Sequence, residues 1–265
     1  MQLINGEKIA DKILAKIKSD IAGSNLIPKL AVVLVGDDKA SHIYVNLKEK
    51  ASKKVGINFE KFLFNESEEE NKILNKIKEL NQDKNVHGII IQLPLPRKID
   101  TDKIINAISP EKDADGFRKK SLNKNPVFPT AIMKMIESVK NKPKNAVVIA
   151  RSEKFGKSMQ EVLRKNKIES EYIFCDEVDK KDLRGYSVVI TACGIPKLIK
   201  SDFVKNGAII IDGGIKKENG KVLGDVDMQS FAKTNCMISP VPKGVGPVTV
   251  ACLLESVYKF SCKKY

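Results

Sequence analysis

Tyr44 and Lys48 stand four residues apart in the stretch Val35-Gly-Asp-Asp-Lys-Ala-Ser-His-Ile-Tyr44-Val-Asn-Leu-Lys48. On a helix that spacing puts both side chains on one face. Ala31 to Val35 are apolar and mostly β-branched, which reads as a buried strand. Gly36-Asp37-Asp38 breaks it as a turn, and Ser41 is expected to cap the helix that follows. A phenol and an amine are then aimed together from the C-terminal end of a strand, where open α/β sheets bind ligands. Two further groups suit the same chemistry. Gln92 directly follows the buried run Gly88-Ile-Ile-Ile91, with Pro94 and Pro96 stiffening the next turns. It is placed to hydrogen-bond Lys48 or a substrate amide. Asp115, in Lys112-Asp-Ala-Asp115-Gly, could accept paired N–H donors from a heterocycle. Taken singly, each has a plainer reading as a solvated lysine, a strand end or an Asp-Gly turn.

The elements that must position these residues read as strands alternating with helices. A helix is expected over 9–21, strand 30–35, helix 41–54, strand 57–64, a charged helix over about 68–80 and strand 88–91. A polar linker follows at 118–125, then a helix over 131–140. A second unit carries strand 146–150, helix 156–165 and strands 171–174, 187–190 and 208–211. The last helix, 248–260, is expected to pack back on the first domain. This alternation predicts α/β architecture with parallel, doubly wound sheets. The domain division is set at 1–119 plus 248–265 against 120–247.

Composition narrows the function classes. The chain has 265 residues, 42% hydrophobic and 30% charged, which is ordinary for a soluble globular protein. No run approaches a membrane span and the N-terminus lacks a secretory pattern, so a cytoplasmic protein without membrane attachment is expected. The five cysteines are scattered and no C-x-x-C occurs. Neither a disulfide framework nor a zinc site is indicated, and buried reduced thiols are expected. The two histidines fit no metal-ligand pattern. A net charge of +14 raises a nucleic-acid-binding protein as a remote alternative. The lysines, however, are spread along the chain and aromatics are only 6%, so a solvated surface is the simpler account and no nucleic-acid partner is expected.

The combination of motifs resembles the bifunctional methylenetetrahydrofolate dehydrogenase/methenyltetrahydrofolate cyclohydrolase family. The match includes Val35-Gly-Asp-Asp-x-Ala-Ser-x-x-Tyr44-Val-x-x-Lys48, Gly88-Ile-Ile-Ile-Gln92-Leu-Pro-Leu-Pro, and Pro110-Glu-Lys-Asp-Ala-Asp115-Gly. It continues with Gly224-Asp-Val-Asp and Pro240-Val-Pro-x-Gly-Val-Gly-Pro-x-Thr-Val-Ala251. The resemblance implies a two-domain protomer with a cleft between the domains, the second Rossmann-like, paired as a homodimer. It implies one-carbon derivatives of tetrahydrofolate as substrates and oxidation followed by hydrolysis to the 10-formyl product. Lys48 would be the central catalytic group, Tyr44 would position the folate, Gln92 would hold and tune Lys48, and Asp115 would anchor the pterin. Gly246 and Pro247 join Tyr44 and Asp115 as expected substrate-binding residues.

The cofactor side departs from the family pattern. Where Gly-Arg-Ser-x-x-x-Gly-x-Pro is usual, this chain has Ala150, Arg151, Ser152, Gly156 and Ser158. Arg151 suits a 2′-phosphate and so NADP, whereas Asp176 and Glu177, ending the next strand, suit the 2′-hydroxyl of NAD. NADP is the first expectation and NAD the alternative. Thr191, Gly194 and Ile215 complete the expected cofactor residues. Cys193 replaces a small apolar residue, Ile211-Asp212-Gly213-Gly214-Ile has an extra glycine after the aspartate, and Lys243 stands where the family mostly has glycine. A cyclohydrolase with weak, lost or NAD-switched dehydrogenase activity is the alternative reading of these changes.

Overall fold

The computed structural model describes residues 1–118, 126–140 and 143–262. The elements run β1 (Gln2–Leu3), α1 (Gly6–Ala22), β2 (Lys29–Val35), α2 (Lys39–Val55), β3 (Asn58–Phe64), α3 (Glu70–Gln82), β4 (Gly88–Ile91) and α4 (Thr101–Asn106). Then come α5 (Val127–Glu137), β5 (Asn145–Ala150), α6 (Glu153–Lys165), β6 (Glu169–Phe174), β7 (Val188–Ala192) and β8 (Ile209–Asp212). A small hairpin, β9 (Lys216–Glu218) with β10 (Lys221–Leu223), precedes β11 (Met237–Ile238) and α7 (Val245–Ser261). Among the described residues no helix is long and apolar enough to cross a membrane. Of the linker expected at 118–125, all but Arg118 lies outside the described residues.

The chain divides into two compact units, residues 11–127 with 250–265, and residues 1–10 with 128–249. The first holds a three-stranded parallel sheet ordered β3-β2-β4. β2 and β4 read as continuous apolar runs because nearly every residue is covered. Ala31, Val33, Ile89 and Ile91 pack on one face against Ile73, Ile77 and Leu80 of α3. Gly88 has no room for a side chain, since a Cβ would meet Val257 of α7 at 2.8 Å. The helix α2 begins at Lys39, and Asp38 rather than Ser41 caps it. The Asp38 carboxylate accepts from the Ser41 amide at 2.7 Å and the Ser41 hydroxyl at 2.8 Å. Asp38 competes for the cap position as well as serine does, and the helix therefore starts earlier.

The second unit is a six-stranded, all-parallel sheet ordered β1-β11-β8-β7-β5-β6, which is the Rossmann-like, doubly wound arrangement. The expected division placed residues 1–10 with the first domain. Instead Gln2 and Leu3 pair with Met237 and Ile238 and extend this sheet at its edge. Gly156 lets α6 close on the sheet, because a Cβ there would meet the Tyr172 ring at 2.7 Å.

Not all cysteines are reduced. Cys175 and Cys193 form a disulfide, while Cys236 and Cys252 are free and buried and Cys262 is free and exposed. The two bonded residues follow β6 and β7, strands on either side of β5, so they meet in space despite wide spacing in sequence.

Candidate active site

Lys48 projects from α2 and its ammonium donates to Gln92 Oε1 at 3.0 Å. Gln92, just past β4, is 8% exposed, and its Nε2 donates to the Leu93 carbonyl at 2.7 Å. Tyr44 lies one turn before Lys48 on the same helix, half-buried. Burial holds the Lys48 ammonium below the ordinary lysine range, with the Asp115 charge acting in the opposite sense. Burial likewise pushes the Tyr44 phenol up, so it stays protonated at neutral pH.

Asp115 reaches this group through a loop stitched to β4. Ile89 N–H donates to the Lys112 carbonyl at 2.7 Å and Ala114 N–H to the Ile89 carbonyl at 3.3 Å. Asp113 tightens the turn by accepting from the Gly116 and Arg118 amides, each at 3.0 Å. Lys112 anchors the loop from beneath. Its buried ammonium donates to the carbonyls of Leu80, Asn81 and Asp83 at 2.9, 2.8 and 2.7 Å, satisfying the end of α3. The Asp115 carboxyl is pushed up to about 6, first by burial, with Lys48 lowering it and Asp113 raising it. A lysine with lowered proton affinity and a carboxyl that titrates near neutrality thus share one site, a pairing typical of proton-transfer chemistry.

The second unit holds a cavity of about 350 Å³ at the ends of β5, β7 and β8. Arg151, Gly194 and Ile215 line it, together with Cys193, Gly214 and Lys216. The other expected cofactor residues lie around rather than in that lining. Ala150 ends β5, Ser152 caps α6 by accepting from the Phe155 amide at 3.4 Å, and Gly156 makes the helix-to-strand contact. Asp176 is exposed at the start of a 3-10 turn, Cys175–Lys180. Thr191 is fully buried and donates to Asp225 Oδ2 at 2.7 Å. Gly246 and Pro247 occupy the first turn of α7.

Two aspartates that sequence reasoning did not single out build the cavity wall. Asp225 accepts from the Cys193 and Ile195 amides, each at 2.7 Å, which shapes the turn at Gly194, where φ is +65°. Asp212 accepts from the amides of Gly214, Asp225 and Val226, each at 3.0 Å. The Asp212 carboxyl is pushed up to about 6, chiefly by burial. A Cβ on Gly214 would lie 2.1 Å from the Asp225 carboxylate, and one on Gly224 would lie 2.1 Å from the Asp212 carboxylate. The glycine pair after Asp212 is tight at both positions, since a Cβ on Gly213 would meet the Phe128 ring at 2.8 Å. Lys216 carried no motif and was likewise not anticipated. Lys243 does not line the cavity; its ammonium pairs with Glu7 at 3.5 Å.

The tetrahydrofolate dehydrogenase/cyclohydrolase catalytic-domain model matches residues 4–115, and the NAD(P)-binding-domain model of the same name matches residues 126–265. The chain belongs to the tetrahydrofolate dehydrogenase/cyclohydrolase family. The bifunctional protein FolD of Methanosarcina mazei is 39% identical, over 97% of this chain and 94% of that one. That of Campylobacter hominis is 39% identical, over 98% and 96%. Among solved structures, the bifunctional FolD enzyme of Campylobacter jejuni superposes with a TM-score of 0.91 at 34% identity, covering 98% of each chain. The Trypanosoma brucei FolD, solved with NADP and an inhibitor, gives 0.89 at 27% identity, covering 98% of this chain and 96% of that one.

In this family member the cavity's chemistry suits a dinucleotide. Gly194 and Gly214 bring backbone close, Arg151 and Lys216 supply positive charge, and the N-terminus of α6 follows β5 directly.

Proposed function

We propose that the chain oxidises methylenetetrahydrofolate to methenyltetrahydrofolate with NADP and then hydrolyses the product to 10-formyltetrahydrofolate. The observation that carries this reading is the Lys48–Gln92 hydrogen bond with the buried Asp115 carboxyl acting on the same ammonium. A nicotinamide held in that cavity would supply the hydride acceptor for the methylene carbon. The chain's own residues do the rest. Asp115 accepts N–H donors of the pterin and fixes its register. Tyr44, protonated, packs beside the folate and offers its hydroxyl. Lys48, neutral more readily than a solvated lysine, takes a proton from the water that attacks the methenyl carbon. Gln92 holds the Lys48 nitrogen in place without adding a charge that would keep it protonated.

Gly246 and Pro247 are proposed to border the folate. Ala150, Arg151, Ser152, Gly156, Asp176, Thr191, Gly194 and Ile215 are proposed to surround the cofactor, directly or by shaping its turns. Glu177 is taken up by the Phe174 amide at 2.7 Å, which leaves Asp176 as the acidic group opposing Arg151 in the choice between NADP and NAD. A homodimer acting free of nucleic acid and membrane, in the cytoplasm, completes the proposal.

The test follows methenyltetrahydrofolate formation with NADP and NAD side by side, then hydrolysis of supplied methenyltetrahydrofolate. Turnover in both assays supports the reading. Hydrolysis without oxidation under either cofactor would reduce it to a cyclohydrolase, and no hydrolysis would remove it.

A further inference from the structure

The Cys175–Cys193 bond has no part in the reaction above, yet one of its two residues, Cys193, lines the cavity read as the dinucleotide site. The register pairs Ala150 with Phe174 on one side and Ala192 on the other. Both cysteines therefore stand one residue beyond the sheet, level with Arg151. Strands next-but-one in a sheet are separated by about 10 Å, but the Cα atoms of this pair are 6.0 Å apart. The loops after β6 and β7 are drawn together across the end of β5. The strand order reverses here, with β6 on one side of β5 and β7 on the other. Open parallel sheets take their ligands in the crevice at that switch point, and the half lying toward β6 is the adenosine, whose ribose meets the acidic strand-end residue.

The surrounding contacts point the same way. The Cys193 carbonyl accepts from Arg151 Nε at 2.8 Å and also from its Nη2, so the guanidinium is turned onto the bonded loop. Asp225 holds that loop by the amides on both sides of Gly194, and the disulfide holds it again at Cys193. Cys193 is 3% exposed while Cys175 is only partly buried, so exchange enters at Cys175.

We propose that the Cys175–Cys193 pair is a thiol-controlled gate on the dinucleotide site, closed across the adenosine crevice as the disulfide and opened by reduction. The proposal rests on the reading of this cavity as the dinucleotide site. The reductant is a dithiol. Its thiolate attacks the Cys175 sulfur, the S–S bond breaks, and Cys193 leaves as a thiolate that takes a proton. The second thiol of the reductant then displaces Cys175, which leaves as a thiol, and the reductant departs as its own disulfide. Two electrons and two protons pass to the pair. Because binding and reduction are linked, a dinucleotide that prefers the open form tenfold shifts the midpoint of the pair by about 30 mV toward the thiols.

The test titrates NADP and NAD calorimetrically into the full-length protein, air-oxidised or treated with dithiothreitol. Alkylation and mass spectrometry establish the state of the bond, and hydrolysis of methenyltetrahydrofolate is followed in parallel. The reduced protein should bind about tenfold tighter or more, with hydrolysis unchanged. Cys175→Ser should bind like the reduced form and ignore dithiothreitol. Equal or weaker binding once the bond is shown to be broken overturns the gate, as does alkylation of both thiols in the oxidised sample. No binding in any form, Cys175→Ser included, overturns the dinucleotide reading itself and the gate with it.

Discussion

Gln92 faces Lys48 with its oxygen and cannot turn its nitrogen to it without giving up a bond. Its Nε2 donates to the Leu93 carbonyl at 2.7 Å while its Oε1 accepts from the Lys48 ammonium at 3.0 Å. The amide therefore offers Lys48 an acceptor without a charge. Gln92→Glu should raise the proton affinity of Lys48 by about one unit or more. Hydrolysis at pH 7 should slow and its rising limb should move to higher pH. A pH–rate profile of the two proteins reads this, and superimposable profiles would refute it.

Lys48→Met keeps much of the side chain's length and removes the amine. Hydrolysis should fall by about 10²–10⁴, with the circular dichroism spectrum and melting curve intact, since a buried charge has been replaced by an apolar group. Undiminished hydrolysis would end the assignment of Lys48.

Asp115 carries a pH signature. Its carboxyl is raised from 3.8 to about 6 in the fold, so the folded protein holds this proton more readily than the unfolded chain. The stability this contributes is complete below about pH 4 and is lost as pH rises through about 6. Asp115→Asn should therefore match the native protein near pH 4 and exceed it by about 1–3 kcal/mol at pH 8, while losing folate affinity. Denaturant titrations at the two pH values check the sign.

Gly214→Ala sets a methyl against the Asp225 carboxylate that shapes the cavity wall. Binding of NADP should weaken at least tenfold and oxidation should fail, whereas hydrolysis of supplied methenyltetrahydrofolate should persist. Equal loss of both activities would show that the damage is not local.

Lys243 sits at φ +79°, a left-handed conformation that costs a side-chain-bearing residue about 1–2 kcal/mol. Its exposed pair with Glu7 contributes little. Lys243→Gly should stabilise the protein by about 0.5–1 kcal/mol, net of the greater entropy of glycine in the unfolded chain. Calorimetric melting would show a small upward shift.

Much of this was readable from residue order. The strand Gly88–Ile91 was bounded correctly because its apolar run is flanked by a glycine and a proline-rich turn. The grouping of Lys48 with Gln92 and Asp115 followed from strand-end positions and family motifs. The pairing of Cys175 with Cys193 was not readable, since it arises only when β6 and β7 are set on either side of β5. Nor were β1 and β11, two residues each, because neither carries a periodic pattern; β1 exists only by pairing with β11, and β11 only by lying between β1 and β8. The shaping role of Asp212 and Asp225 was not readable either, because the burial and the backbone donors that converge on them exist only in the fold. Asp38 took the helix cap because an aspartate and a serine stood within one turn of the same helix start.

The pairing of Gln2–Leu3 with Met237–Ile238 sets a schedule for synthesis. A ribosome releases the chain from its N-terminus, so the first strand emerges early and waits for a partner made more than two hundred residues later. Until then the β11 edge of the second sheet does not exist, and the leading segment has nothing to pair with. Completion of this sheet is consequently a late event, tied to the emergence of Met237–Ile238 rather than to that of Gln2–Leu3.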